Sequence, residues 1–194
     1  YLNLGNRLVL EYEVGDFGQG EVYLVRLLEV MRSTAPGPTL IHSLGAMAIL
    51  LVARITGVIT HFEVAEAAAR SVLSSTSASP LLTLYPRGDL ALLAVQRGDV
   101  VAAGEQYSHL RSLRGTMWPV CSWISADRLL GLLAQTMGNL DKAAEHFEDA
   151  LAFCRKAGYR PQLAWTGCDY ADALLGPVGA ALRGRPGHPH RGAP

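Results

Sequence analysis

Apolar residues recur at spacings of three and four along most of this chain, the period of a helix that buries one face. The clearest stretch runs from Asp127 to Ala157, DRLLGLLAQTMGNLDKAAEHFEDALAFCRKA. Leu129, Leu130, Leu132 and Leu133 predict a first helix. Gly138-Asn139 ends it, because both residues tolerate the left-handed backbone that closes helices. Asp141 falls in the first turn of a second helix, where a carboxylate meets the positive end of the helix dipole. Leu140, Ala143, Ala144, Phe147, Ala150 and Leu151 give that helix a buried face, with Lys142, Glu145, Glu148 and Asp149 mostly opposite.

The same grammar precedes this stretch. Leu8, Leu10 and Tyr12 belong to a first helix, Gly15-Asp16 to a turn, and Val22, Leu24, Val25, Leu27 and Leu28 to the apolar face of a second helix. Ser33 to Pro38 reads as a loop. Thr39 to Ile59 is almost wholly apolar, but His42 and Arg54 bracket only 11 residues, short of the roughly 18–20 that cross a bilayer. A buried helix is therefore expected there, with Phe62 to Ser74 as its partner. After a loop from Ser74 to Pro80, Leu81 to Leu113 gives a third pair around Gly98-Asp99, and Pro86-Arg87-Gly88 is expected to interrupt or delay its first helix. The first helix of the fourth pair is expected to begin near Ser122. The equivalents of Ala143, Phe147 and Ala150 are Gly20, Leu24 and Leu27, then Ala65, Ala69 and Val72, then Ala103, Tyr107 and Leu110. The first of these sites recurs at intervals of 45, 38 and 40 residues.

Asp127 to Ala157 resembles a tetratricopeptide repeat: Leu130-Gly131 at the Leu-Gly pair, Ala134 at the next small or aromatic site, Gly138 at the turn, and Ala143, Phe147 and Ala150 at the Ala, aromatic and Ala sites. Arg155 stands where the family's closing proline falls, so a longer second helix is expected. HEAT-like pairs share a period near 40 but do not predict this turn and these three sites. The resemblance implies an all-α fold, a right-handed α-solenoid of antiparallel helix pairs, with about four pairs and one unpaired helix. The units fall at 2–33, 39–75, 81–114 and 122–158, with a partial unit at 162–175. Its style, clearest from Asp127 to Leu175, resembles the C-terminal arrays of bacterial ATPase-coupled LuxR-type activators and class III nucleotide cyclases.

The partial unit, QLAWTGCDYADALL, places Thr166-Gly167 and Tyr170 at the Leu-Gly and aromatic sites. Leu163, Trp165 and Leu175 lack a covering helix and are expected to be partly exposed, which invites self-association. Residues 176–194 carry nine Gly or Pro among nineteen and no acidic residue, the composition of a disordered tail. Either the tail is native or the reading frame is lost after Leu175; the second is expected, because the break cuts a repeat in its middle.

Composition narrows the picture. The 194 residues are 49% hydrophobic and 18% charged, enough apolar surface for a core. Seventeen basic and seventeen acidic residues give no electrostatic argument for nucleic acid or an anionic membrane. Cys121, Cys154 and Cys168 form no CxxC and signal neither a disulfide framework nor zinc, so a cytoplasmic location is expected. The chain starts with Tyr1 and no leader pattern follows, so it reads as a piece of something longer.

Motifs for chemistry are weak. Asp16-Phe17-Gly18 spells a kinase metal-binding triplet without the other kinase motifs and lies on a turn. Gly18-Gln19-Gly20 lacks a third glycine and a preceding strand. His109 and His146 are expected near the surface of second helices, His188 and His190 offer two metal ligands without a third, and Glu11/Glu13 and Glu145/Glu148/Asp149 read as solvated faces. No catalytic residue, cofactor or metal site is expected. A helical array offers a surface instead. Glu13, Gln96, Ser125, Arg128 and Gln135 are the candidate residues on its concave face. The expected function is a non-catalytic interaction module of a larger signalling or transcription regulator. It would bind a protein or peptide, or neighbouring domains of its parent, without direct nucleic acid or membrane contact. A regulatory segment of an ATPase-linked cyclase and a small-molecule sensor are the alternatives.

Overall fold

The structure, a computed structural model, describes residues 2–35, 37–118 and 123–176. Among the described residues there are nine α-helices: α1 (Leu2–Val14), α2 (Phe17–Ser33), α3 (Leu40–Thr56), α4 (Phe62–Leu73), α5 (Pro80–Arg97), α6 (Val100–Leu110), α7 (Ala126–Thr136), α8 (Leu140–Ala157) and α9 (Arg160–Leu175). A single 3-10 turn, Arg111–Leu113, follows α6. The fold is all-α; an isolated antiparallel bridge joins Met117 to Ser125.

Three of the turns share one chemistry. At Gly98-Asp99 the glycine takes a left-handed φ of +65° and closes α5, and Asp99 then accepts from the N–H of Ala102 to cap α6. Gly138-Asn139 repeats this, with a φ of +78° and Asn139 accepting from the Lys142 N–H. Asp16 caps α2 in the same way through Gln19. The division of labour is sharper than the residue types suggest: glycine alone is left-handed, and the Asn or Asp satisfies an orphan N–H of the next helix. Thr39, Ser79 and Ser125 cap α3, α5 and α7 likewise.

Each helix packs on its successor from α1 through α9, and the odd-numbered helices also touch one another in series, α1 on α3, α3 on α5, α5 on α7 and α7 on α9. α3 is the hub. Every residue from Ile41 to Ala53 is buried, so this helix is covered on all sides rather than along one stripe. No helix among the described residues is long and apolar enough to cross a membrane. The main core runs from Leu8 in α1 to Leu133 in α7, and a smaller cluster around Phe147 joins α7, α8 and α9. The small residues at the recurring sites lie at contacts: Gly20, Ala65, Ala103 and Ala143 are all buried. A Cβ on Gly131 would come within 2.8 Å of the Phe147 ring, so glycine there sets how closely α7 and α8 approach.

Several expectations are corrected. α5 runs unbroken through Pro86, because burial of Tyr85, Pro86, Gly88 and Leu92 outweighs the hydrogen bond that proline forfeits. Gly88 belongs to this packing: a Cβ there would meet the Trp118 indole at 2.4 Å. α7 begins at Ala126 rather than near Ser122. Leu10, Val22, Val25 and Leu140 are exposed, so the apolar faces of α1, α2 and α8 are narrower than the sequence suggests. The expected tail lies outside the described residues from 177 onward.

α5 also carries a charge problem. Asp89 is fully buried and neither carboxylate oxygen has a hydrogen-bond partner among the described residues. Burial raises its pKa well above the ordinary carboxylate range. Folded Asp89 thus holds its proton more tightly than the unfolded chain does. Its contribution to stability is full below the ordinary value near 3.8 and is lost as pH rises through the folded value. Asp89→Asn removes that titration, so thermal melts should show it gaining stability over the parent at pH 7.5 and little or nothing at pH 4. Ala143→Leu should cost about 1–3 kcal/mol by overpacking the α7–α8 contact, read as a lower urea midpoint at unchanged slope.

Candidate functional site

The inner side of the fold gathers polar residues from α1, α3, α7 and α9 around one buried cation. Arg128, in the first turn of α7, is 3% exposed. Its Nε donates to Asp169 Oδ2 at 2.7 Å and an Nη to Gln162 Oε1 at 3.2 Å. Asp169 also accepts from Arg54 of α3 at 2.5 Å through its other oxygen. The Gln162 amide donates in turn to the Trp123 carbonyl, and Trp123 Nε1 donates to Asn6 Oδ1 at 2.9 Å. Bonds between residues 115 and 117 positions apart thereby tie both ends of the described chain together.

The pKa shifts follow from this crowding. Burial pushes Asp169 up, but the Arg128 and Arg54 guanidiniums outweigh it and hold the carboxyl below its ordinary value. Burial lowers Arg128 against the opposing pull of Asp169. Glu13 is raised, with burial as the main cause, against the Arg128 charge and a hydrogen bond from Trp165. Trp165 lies over the Arg128 guanidinium at 5.9 Å from its ring centre.

Glu13, Arg54, Trp123, Arg128 and Trp165 line a recess of about 10 Å³, room for roughly one water. That volume is too small for a ligand larger than water. Both Asp169 oxygens are engaged by guanidiniums, so the set positions helices and does not offer a proton acceptor. What it presents outward is Glu13 with the half-buried rings of Trp123 and Trp165.

Of the five concave-face candidates, the structure brings Glu13, Ser125 and Arg128 together and places Gln96 and Gln135 elsewhere. Arg128 is internal rather than offered to a ligand, because it satisfies Asp169. Ser125 is buried, and its hydroxyl accepts from the Arg128 N–H as the cap of α7. Gln96 is half-buried and donates to the Leu50 carbonyl at 3.0 Å, linking α5 to α3. Gln135 is half-buried near the end of α7.

Two further readings are corrected. His146 is buried, not superficial, and Glu11 is buried beside Arg7. Glu145 and Asp149 are not a bare solvated face, since Arg114 grips both. His109 is exposed, as expected. Sequence reasoning missed Arg54, Asp169, Gln162 and the two tryptophans. Arg54 interrupting an apolar helix was the one available signal, since a cation among apolar residues needs a partner.

Family models, curated proteins and solved structures yield no match to this chain.

Removing the carboxylate from this network should be costly. Asp169→Asn leaves two guanidiniums without their counter-charge and should destabilise by about 3–5 kcal/mol in urea unfolding. Because folded Asp169 is depressed, its contribution is present above the ordinary carboxyl value and lost as pH falls through the folded one. Asp169→Asn should therefore also flatten the acid limb of the stability profile.

Proposed function

We propose that this chain is a non-catalytic protein-interaction module, an α-solenoid of tetratricopeptide type that recognises a protein or peptide, or neighbouring domains of its parent. The observation that carries this reading is the pair of half-buried rings, Trp123 and Trp165, seated beside Glu13 on a buried ion network in which Arg54 and Arg128 share Asp169. Buried aromatic anchors held by such a support are what interface hot spots are made of. The recurring small residue, buried at Gly20, Ala65, Ala103 and Ala143, supports the solenoid class, as does the serial packing of the odd-numbered helices. A signalling or transcription regulator of bacterial origin is the parent we favour, and the buried thiol of Cys154, outside any disulfide, fits a cytoplasmic setting. Leu174 and Leu175 are exposed at the end of α9, and self-association through that helix belongs to the same proposal.

A second reading, a small-molecule sensor, draws on one observation. An apolar cavity of about 180 Å³ lies between α1, α2 and α3, lined by Leu27, Leu44 and Trp123 among others. It is smaller than the usual drug-sized site of roughly 300 Å³ or more, and the larger apolar recess of about 350 Å³, lined by Met31, His42, Val64 and Ala68, is the more open of the two.

The test places a photo-crosslinking residue at Trp165, at Trp123 or at exposed Asp141. A partner captured at the tryptophan positions and not at Asp141 is expected. Its affinity, measured with purified components, should fall at least about tenfold in Trp165→Ala. Capture at no position, combined with measurable turnover of a substrate, would sink the proposal.

A further inference from the structure

Away from the inner recess, a second polar cluster lies where α6, α7 and α8 meet. Asp127 of α7 and His146 and Asp149 of α8 each bring one ligand atom within 4.8 Å of the others. His146 and Asp149 stand three residues apart on α8 and so share a face. Asp127 is anchored: its Oδ2 accepts from the Gly115 N–H at 2.7 Å. Its Oδ1 is buried without a hydrogen-bond partner. His146 is anchored too, with Nε2 2.9 Å from the Tyr107 hydroxyl, while its Nδ1 is buried and also lacks a hydrogen-bond partner. The two unpartnered atoms face each other at 3.6 Å, beyond hydrogen-bond length. Asp149 is half-buried and opens the cluster toward solvent.

A buried carboxylate oxygen and a buried ring nitrogen, both without a hydrogen-bond partner and facing each other, form an arrangement that a cation relieves when His146 carries its proton on Nε2. Tyr107 accepting from Nε2–H leaves Nδ1 as the lone-pair nitrogen, which is how an outer partner prepares a metal-bound histidine. One imidazole and two carboxylates make a three-ligand set with room for water in a fourth position, a set suited to zinc and its first-row neighbours.

We propose that Asp127, His146 and Asp149 form a binding site for a divalent first-row cation, zinc foremost, with Tyr107 as the outer partner of His146. Arg114 is the built-in competitor. It binds Asp149 and Glu145, and its Nε lies 3.9 Å from Asp127 Oδ1. A bound divalent ion meets that positive charge, so the two are antagonists: metal loosens Arg114, and loss of Arg114 tightens metal. A filled site would fix α8 to α7 and, through Tyr107, to α6.

The test uses the full chain carrying His188→Ala and His190→Ala, so that the terminal histidines contribute nothing. After chelator treatment, the protein is titrated with Co²⁺ and followed by its visible absorption, then back-titrated with Zn²⁺. One equivalent is expected to bind with a ligand-field band that Zn²⁺ abolishes. Asp149→Asn, at a half-buried position, should weaken binding at least about tenfold with unchanged far-UV dichroism, and His146→Ala should abolish the band. Arg114→Gln should bind several-fold more tightly. No band at saturating Co²⁺, or equal affinity in Asp149→Asn, would overturn the proposal; should His146→Ala not fold, the Asp149 variant decides.

Discussion

A guanidinium with almost no access to water sets the terms for the rest of this structure. Placing Arg128 in the interior removes its hydration, a loss that only close, well-directed acceptors offset. Asp169 supplies one and Gln162 another, while Arg54, a second cation, shares the same carboxylate through its other oxygen. Because both bonds to Asp169 are directional, α3, α7 and α9 have little freedom to slide against one another. The positions of Trp165, over the guanidinium, and of Glu13, facing it, follow from that fixed cation. Aliphatic packing along α3 provides the bulk of the cohesion, but it is non-directional and would tolerate other arrangements.

How well the sequence foretold this depended on the range of the interaction. The Gly-Asp and Gly-Asn turns were legible because both halves of the device, a left-handed residue and a capping side chain, are adjacent in the chain. The small residues at Ala65, Ala103 and Ala143 were legible because helical period places them on one face. Pro86 misled because propensity is a local quantity and the burial of α5 is not. Arg128 and Ser125 were assigned to the open groove because the repeat pattern gives a direction for each side chain but not what waits there. Asp169 lies 115 residues from one of its partners, and no spacing rule reaches that far. His146 and Asp89 were obscured in the same way: their burial depends on which neighbours arrive, and an isolated helix does not carry that information.

The two polar clusters differ in how completely they are satisfied. Around Arg128, both Asp169 oxygens and the Gln162 amide are engaged, although Arg54 Nε is buried without a hydrogen-bond partner, and the aromatic rims are left as the outward feature. Around His146, two buried atoms stay unmatched and a mobile-ended side chain, Arg114, covers the entrance. A matched network resists change, and an unmatched one invites a further component. The proposed interaction face and the proposed ion site thus lie in separate places, joined through α7, which contributes Arg128 to one cluster and Asp127 to the other.

The bond between Arg54 and Asp169 has a consequence for how the chain comes into being. Local helix pairs can form as they leave the ribosome, since their turns and caps are encoded within a few residues. The two inner cations, however, are synthesised long before their shared carboxylate. Until α9 emerges, Arg54 and Arg128 must remain hydrated, which holds the inner face ajar around water. The final closing of that face is therefore timed by the last helix, and a nascent chain stalled before Asp169 would be an open, wetter form of the same helical fold.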